Sequence, residues 1–206
     1  MPKRRRPALR GMVSRQADQT GSSRPGEGSR PARPWLLRSL AGLWPYADGS
    51  IARPTGERAL FLAQQPYLPL GGLRTALAYP GPPDRLDDQR AAEVLRQVQL
   101  THLTDRLDEQ HDWSHTLSPG EQQRIGFARL LLARPRIAFL DESSSALDEG
   151  IEHTLYQLLR ERLPDCVLLS VGHRSTLHRL HTHQLELRPD GDWSLSTLVA
   201  VTTGVD

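Results

Sequence analysis

The chain has one cysteine, Cys166, in 206 residues, so it cannot form an internal disulfide and does not belong among the stapled secreted domains. No stretch approaches the roughly 18 consecutive apolar residues that a membrane-spanning helix needs. The N-terminus is basic, but no apolar run follows it, so no secretory leader is expected. Aromatic residues make up only 5 % of the chain, and none stands before Trp35, so the basic N-terminal stretch has nothing to stack on a nucleic-acid base. The expectation from these absences is a reduced, soluble, cytosolic protein. An apolar fraction of 37 % over this length is enough for the core of one folded unit.

The charge balance is uneven along the chain. Residues 1–34 carry nine Lys/Arg against two Asp/Glu, leaving 17 basic against 22 acidic residues beyond them. This segment is rich in Arg, Pro, Gly and Ser and has no period of 2 or 3.6 residues, so it is expected to be an unstructured basic tail with no specific nucleic-acid partner. At Trp35 the texture changes. Leu36, Leu37, Leu40 and Leu43 place apolar groups on one helical face, and Pro45 with Asp48-Gly49 supplies turn chemistry after them. Ala59 to Ala63 reads as a short strand leading into Gln64-Gln65-Pro66, and Gly71-Gly72 marks a loop before a short segment from Leu73 to Tyr79.

Helical spacing returns at Leu86, Ala91, Val94, Leu95 and Val98, and a second helix fits residues 119–133. Ile137-Ala138-Phe139-Leu140 is a continuous apolar run of the kind found in strands buried on both faces. A helix through Ile151, Leu155, Leu158 and Leu159 follows, then another buried strand from Cys166 to Val171. Strand, helix and strand at this spacing imply parallel pairing by crossover, hence an α/β core. His183 to Leu187 and Trp193 to Leu195 read as a hairpin across Asp190-Gly191, and residues 196–206 as a C-terminal tail.

Asp141 and Glu142 stand just past the carboxyl end of the first buried strand, where open α/β sheets bind ligands. There one acid can hold Mg²⁺ and a second can orient or deprotonate water in phosphoryl transfer; a strand that simply exits into solvent can show the same residues. In Leu117-Ser118-Pro119-Gly120-Glu121-Gln122, Ser118 can cap a helix, Pro119 suits its first turn and Glu121 completes a capping box. That alone accounts for these residues as a well-made helix start, although such an N-terminus also suits an anion. Downstream come Ser145-Ala146-Leu147-Asp148 and, past the second strand, His173.

In this order the residues resemble the ATP-binding domain of ABC transporters. Gln64 matches the glutamine loop, Ser118 to Gln122 the LSGGQ-type signature, Asp141-Glu142 the Walker B motif, Ser145 to Asp148 the D-loop and His173 the switch loop. Leu40 to Pro45, Gln65 to Pro69 and Ser170 to Arg174 are similar to the exporters that include peroxisomal fatty-acyl half-transporters and bacterial peptide or cobalamin transporters. The resemblance implies a P-loop NTPase-type fold over residues 35–195, with a parallel core sheet and a helical signature subdomain. It further implies that two such domains sandwich two ATP molecules with Mg²⁺, at the inner face of a membrane and docked on a permease domain. Asp141 would hold the metal through water and Glu142 would act on the hydrolytic water. Gln64 would sense the metal and His173 the γ-phosphate; Ser118, Gly120, Glu121, Gln122 and Asp148 would serve the nucleotide across the dimer.

The same resemblance requires G-x-x-x-x-G-K-S/T directly before the helix at Leu36, and the chain departs from it there. The lysine position falls on Arg33 and the Ser/Thr position on Pro34, and Pro31 and Pro34 have no N–H to offer a phosphate. The strand before that loop is expected to be missing as well, and the abrupt boundary at Trp35 is what a misplaced start or a shifted reading frame produces. The chain's own ATP turnover is therefore expected to be impaired. Two other readings stay open: a non-catalytic subunit that completes a partner's site, and a nucleic-acid binder acting through the basic tail.

Overall fold

The two apolar runs at Ile137 and Val167 are strands, and they lie side by side in register, with Ile137 opposite Val167 and Asp141 opposite Val171. The computed structural model describes residues 10–14, 32–43, 45, 59–172, 175–188 and 192–198. In chain order the elements are β1 (Arg10–Ser14), α1 (Ala32–Ala41), β2 (Ala59–Leu62), β3 (Gly71–Gly72), α2 (Leu73–Ala78), α3 (Asp88–Gln97), β4 (Gln110–His111), α4 (Trp113–Thr116), α5 (Pro119–Ala133), β5 (Ile137–Asp141), α6 (Glu149–Arg162), β6 (Val167–Val171), β7 (His183–Leu187) and β8 (Trp193–Thr197). The main sheet runs β2-β5-β6-β1-β7-β8. All neighbours are parallel except the β7–β8 hairpin.

One sequence expectation is corrected at the N-terminus. Residues 10–14, inside the stretch read as unstructured, form a strand that pairs in parallel with both β6 and β7. A strand therefore stands ahead of α1 in the sheet, where none was expected. Five residues of mixed polarity carry no readable period; their place is set by the gap between two distant strands. Residues 15–31, which precede α1, lie outside the described residues, and Arg33 and Pro34 fall in its first turn.

The sheet alternates its side chains between two cores, as pleating requires. Phe61, Ile137, Phe139, Leu169 and Val171 face α1, whose Leu37 is fully buried among them. Leu60, Leu62, Ala138, Leu140 and Leu168 face the opposite way, into a larger core shared with α5 and α6. Helix α1 ends at Gly42 (φ 77°), where Gly42 N–H donates to Ser39 O at 3.0 Å and Leu43 N–H to Arg38 O at 2.7 Å. This is the double closure that favours glycine after a helix. It leaves Leu43 outside the helix and exposed, not on the apolar face expected for it.

Between β2 and β5 the chain builds a helical unit. Helix α5 begins where its capping chemistry predicts, and it ends at Arg134 in the left-handed conformation. Ser118 Oγ accepts from Glu121 N–H, and the Glu121 carboxylate accepts in turn from Ser118 N–H. The only strand pairing within this unit among the described residues is the short β3–β4 ladder, and Trp113, fully buried, donates from Nε1 to Gly71 O at 3.0 Å.

A cation is built into the interior. Arg129 on α5 is 5 % exposed. It donates from Nε to Ala76 O at 2.7 Å and from Nη2 to Tyr67 O at 2.8 Å, and it lies 5.1 Å from the Tyr79 ring centre. Burial lowers its pKa to about 10, so it stays charged at neutral pH and ties α2 and the segment after Gln64 to α5. Arg129→Met keeps the stem but leaves both carbonyls without their charged donor, so urea unfolding should show a loss of roughly 2–3 kcal/mol. A loss under 1 kcal/mol would mean that the stem's packing, and not its hydrogen bonds, holds these segments.

Candidate functional site

The carboxyl edge of the sheet gathers what the sequence spreads over 80 residues. Leu62 of β2 lies opposite Leu140 of β5, so Gln64 leaves the sheet beside Asp141. Asp141 is the last residue of β5 and is buried, 7 % exposed. Burial raises its pKa above the usual carboxylate range; Arg38 of α1, at 3.8 Å from Nη2 to Oδ2, pulls it back, and the Glu142 charge adds to the rise. At 3.8 Å the Arg38 contact is an ion pair and not a hydrogen bond.

Glu142 adopts φ 50°, the left-handed region that a glutamate enters at a cost of about 1–2 kcal/mol. The turn is pinned at both ends. Glu142 N–H donates to Val171 O at 2.9 Å, and Glu142 O accepts from Ser145 N–H at 3.0 Å. Ser143 Oγ beside it is buried with no hydrogen-bond partner among the described residues.

Gln123, which the sequence reading passed over, turns out to join these segments. It is 3 % exposed. Its Nε2 donates to Gln64 O at 2.9 Å, Ser145 Oγ at 3.1 Å and Glu142 O at 3.5 Å, while its Oε1 accepts from Ala146 N–H at 2.9 Å. The amide orientation is unambiguous, because a flipped group would set N–H against N–H at Ala146 and oxygen against oxygen at Gln64. Nothing local marks it, since α5 also buries Gln122 and Arg129 and has no single polar face. Gln64 Nε2 also reaches Ser145 Oγ at 3.4 Å.

The remaining expected site residues divide by what their side chains already do. Gly120 lies against the D-loop segment of its own chain: a Cβ there would sit 3.2 Å from Ala146 O. Ser118 and Glu121 are engaged in the helix cap, with Glu121 also 2.9 Å from His102 Nε2. Gln122 turns inward, donating to Ser114 O at 2.7 Å and Leu117 O at 2.9 Å. Asp148 caps α6, accepting from Ile151 N–H at 2.8 Å. His173 lies outside the described residues.

The segment after Gln64 presents Tyr67 and Leu70, 64 % and 75 % exposed, whereas Leu68 is buried. Tyr67 and Leu70 are therefore surface groups, and Leu68 belongs to the core.

No group of three His, Cys, Asp or Glu side chains among the described residues could hold a metal alone. Mg²⁺ itself takes one or two carboxylates and completes its shell with water and phosphate oxygens, and Asp141 offers one carboxylate at the end of β5.

A β5 strand flanked by two parallel neighbours, with Asp-Glu at its carboxyl end and a capped signature helix against the turn that follows, defines an α/β nucleotide-handling domain. The chain belongs to the ABC transporter family: the family pattern matches residues 35–145. It is similar to a Haemophilus influenzae protein named as an ABC transporter ATP-binding protein, at 51 % identity over 160 residues, covering 78 % of this chain and 27 % of the relative. It is 40 % identical to the human lysosomal cobalamin transporter ABCD4, covering 78 % of this chain and 28 % of that protein. The Dictyostelium discoideum ABC transporter D family member 3 is 35 % identical, covering 80 % and 23 %. The chain thus spans about a quarter of the length of these relatives and is related to the D-family half-transporters in their ATP-binding part. No helix among the described residues is long and apolar enough to cross a membrane.

Two expectations test the site. Glu142→Gly relieves the left-handed strain and should stabilise the chain by about 0.5–1 kcal/mol in urea unfolding, despite the extra freedom that glycine gives the unfolded state; a loss of stability would remove strain from the account. For Asp141, the folded pKa lies above the unfolded value of about 3.9, so the penalty of its charge is absent below that value and complete above the folded pKa. Asp141→Asn should therefore raise the melting temperature at pH 7 by roughly 2–4 °C, with the gain vanishing as pH falls towards 4. A gain that is equal at both pH values would contradict this.

Proposed function

We propose that this chain is the ATP-handling part of an exporter of the D-family type, coupling ATP binding and hydrolysis to transport by a permease domain. The observation that carries the reading is the strained Glu142, set after the buried Asp141 and tied through Gln123 and Ser145 to Gln64. In this reading Asp141 and Gln64 hold hydrated Mg²⁺, which neutralises phosphate charge when bound. Glu142, one residue further into the turn, accepts a proton from the attacking water, with its backbone anchored at the strand end. His173 donates to the γ-phosphate. Ser118 and Gly120 at the start of α5 serve the ATP of a second such domain, with Glu121, Gln122 and Asp148 shaping that face. Tyr67 and Leu70 are the exposed apolar groups on which a permease domain would dock, with the chain on the cytoplasmic side of the membrane.

The reading includes a weakness at the phosphates. Arg33 and Pro34 replace the lysine and hydroxyl that the family's loop uses, and losing one preorganised donor to developing charge already costs roughly 3 kcal/mol, about 10²-fold. A guanidinium keeps the charge without the compact ammonium geometry. The same observation favours a second reading, in which the chain contributes Ser118 and Gly120 to an intact partner's site; adding it to a complete homologous domain should then raise that partner's turnover.

Isothermal titration of the full chain with Mg²⁺-ATP tests the first reading, with binding expected only in the millimolar range and little turnover. A micromolar dissociation constant, with magnesium-dependent turnover abolished by Glu142→Gln, would show that another segment supplies the phosphate cradle. No response to ATP either alone or with a complete partner domain would overturn the functional reading itself.

A further inference from the structure

We propose that Gln123 is a positioning residue that makes the backbone at Gln64 and the turn at Glu142 to Ala146 move as one unit. The inference rests on the functional reading above only for the meaning of that motion; the coupling itself is a property of the fold.

Three facts carry it. Helix α5 is anchored at its start by the Ser118–Glu121 cap and further along by Arg129, which donates to Tyr67 O and Ala76 O. Its frame is therefore fixed on both sides of Gln123. From that frame one carboxamide donates to Gln64 O and Ser145 Oγ and accepts from Ala146 N–H, so displacing either loop stretches bonds to the other. Gln122 provides the contrast, being equally buried on the same helix but spending its amide on Ser114 O and Leu117 O, inside the helical unit. A role in packing alone would make the two glutamines equivalent.

The geometry also sets a direction. Ala146 N–H is the single donor into Gln123 Oε1, whereas Gln64 O and Ser145 Oγ share its N–H groups. Removing the acceptor frees the D-loop amide; removing the donors frees the glutamine loop. A shift at Gln64, which the exposed Tyr67 and Leu70 place next to any docked partner, would be felt at Glu142 through this side chain without any change in the sheet.

The experiment is residue-resolved amide hydrogen exchange on the nucleotide-free full chain, comparing wild type with Gln123→Met and Gln122→Met. Exchange at Ala146 should rise about tenfold in Gln123→Met, the worth of one net hydrogen bond at the upper end of its range, and stay unchanged in Gln122→Met. Loosening the neighbouring loop with Gln65→Gly should raise Ala146 exchange in the wild type and add nothing in the Gln123→Met background. If Gln123→Met does not fold, Gln123→Glu replaces it: the carboxylate still accepts from Ala146 N–H but offers Gln64 O no donor, so Ala146 stays protected and the response to Gln65→Gly disappears. Equal Ala146 exchange in wild type and Gln123→Met, an equal rise in Gln122→Met, or a persisting response to Gln65→Gly in either Gln123 variant overturns the proposal. Because no nucleotide is present, such a failure is separate from a failure to bind Mg²⁺-ATP.

Discussion

Strand β5 is buried on both faces and paired on both edges, and the rest of the site follows from that. A chain that leaves such a strand cannot turn gradually, since every neighbouring position is filled by β2, β6, α1 or the α5–α6 layer. Parallel pairing then places the carboxyl ends of all three strands at one edge, because each crossover returns the chain to the opposite side. Gln64 stands two residues past β2, Glu142 one past β5, and the chain beyond Val171 leaves from β6. The site is assembled by register, and a slip of one residue in β5 would exchange the faces of Ala138 and Phe139 as well as moving Asp141.

Register sets where the loops begin but not how they are held, and that second task falls to polar groups below the edge. Glu152 on α6, 1 % exposed, accepts from Ser144 Oγ at 2.6 Å and from Thr176 Oγ1 at 2.9 Å, joining the D-loop segment to the turn that follows β6. Tyr156 lies beside Ser170 Oγ at 3.2 Å, and the His181 ring nitrogen reaches the same oxygen at 2.9 Å. Burial pushes the Tyr156 phenol up to about 12, so it remains a neutral hydrogen-bonding group at any physiological pH. With Gln123 and Arg129, these side chains satisfy loop carbonyls and hydroxyls that water would otherwise have to reach.

Much of this was legible in the sequence where a local pattern had one physical meaning. The Ser118-Pro119-x-Glu121 cap marks the start of α5 because backbone donors at a helix start need those acceptors, and the run at Ile137 reads as a doubly buried strand because four apolar residues bounded by Pro135-Arg136 and Asp141 are too few for a helix. Three features were not legible, each for a different reason. Strand β1 owes its place to pairing with β6 and β7, more than 150 residues away, and its own residues carry no alternation. Leu68 sits between the exposed Tyr67 and Leu70, and only the three-dimensional path of that irregular segment turns it inward. Gln123 lies just past the recognised motif on a helix buried almost all round, which also takes Gln122 and Arg129 inside, so no polar face marks which amide joins the loops.

Two unfavourable local features of the described chain are adjacent, although Gln99 and Arg134 share the left-handed backbone of Glu142. Glu142 has a left-handed backbone that Gly or Asn would adopt with less strain, and Asp141 is a buried acid held by a distant ion pair, where Asn would have no charge to bury. A sheet edge selected only for stability has lower-energy residues available at both positions. Around them, Val171 O, Ser145 N–H and the Gln123 amide are arranged so that the strained turn has no relaxed alternative. An unpartnered hydroxyl at Ser143 lies in the same turn. Strain that is over-determined by its surroundings, beside a carboxylate whose counter-ion among the described residues stands 3.8 Å away, is compatible with a ligand that brings positive charge. In the function proposed above, a metal ion carried on a polyphosphate would supply that charge and so relieve the burial penalty at Asp141.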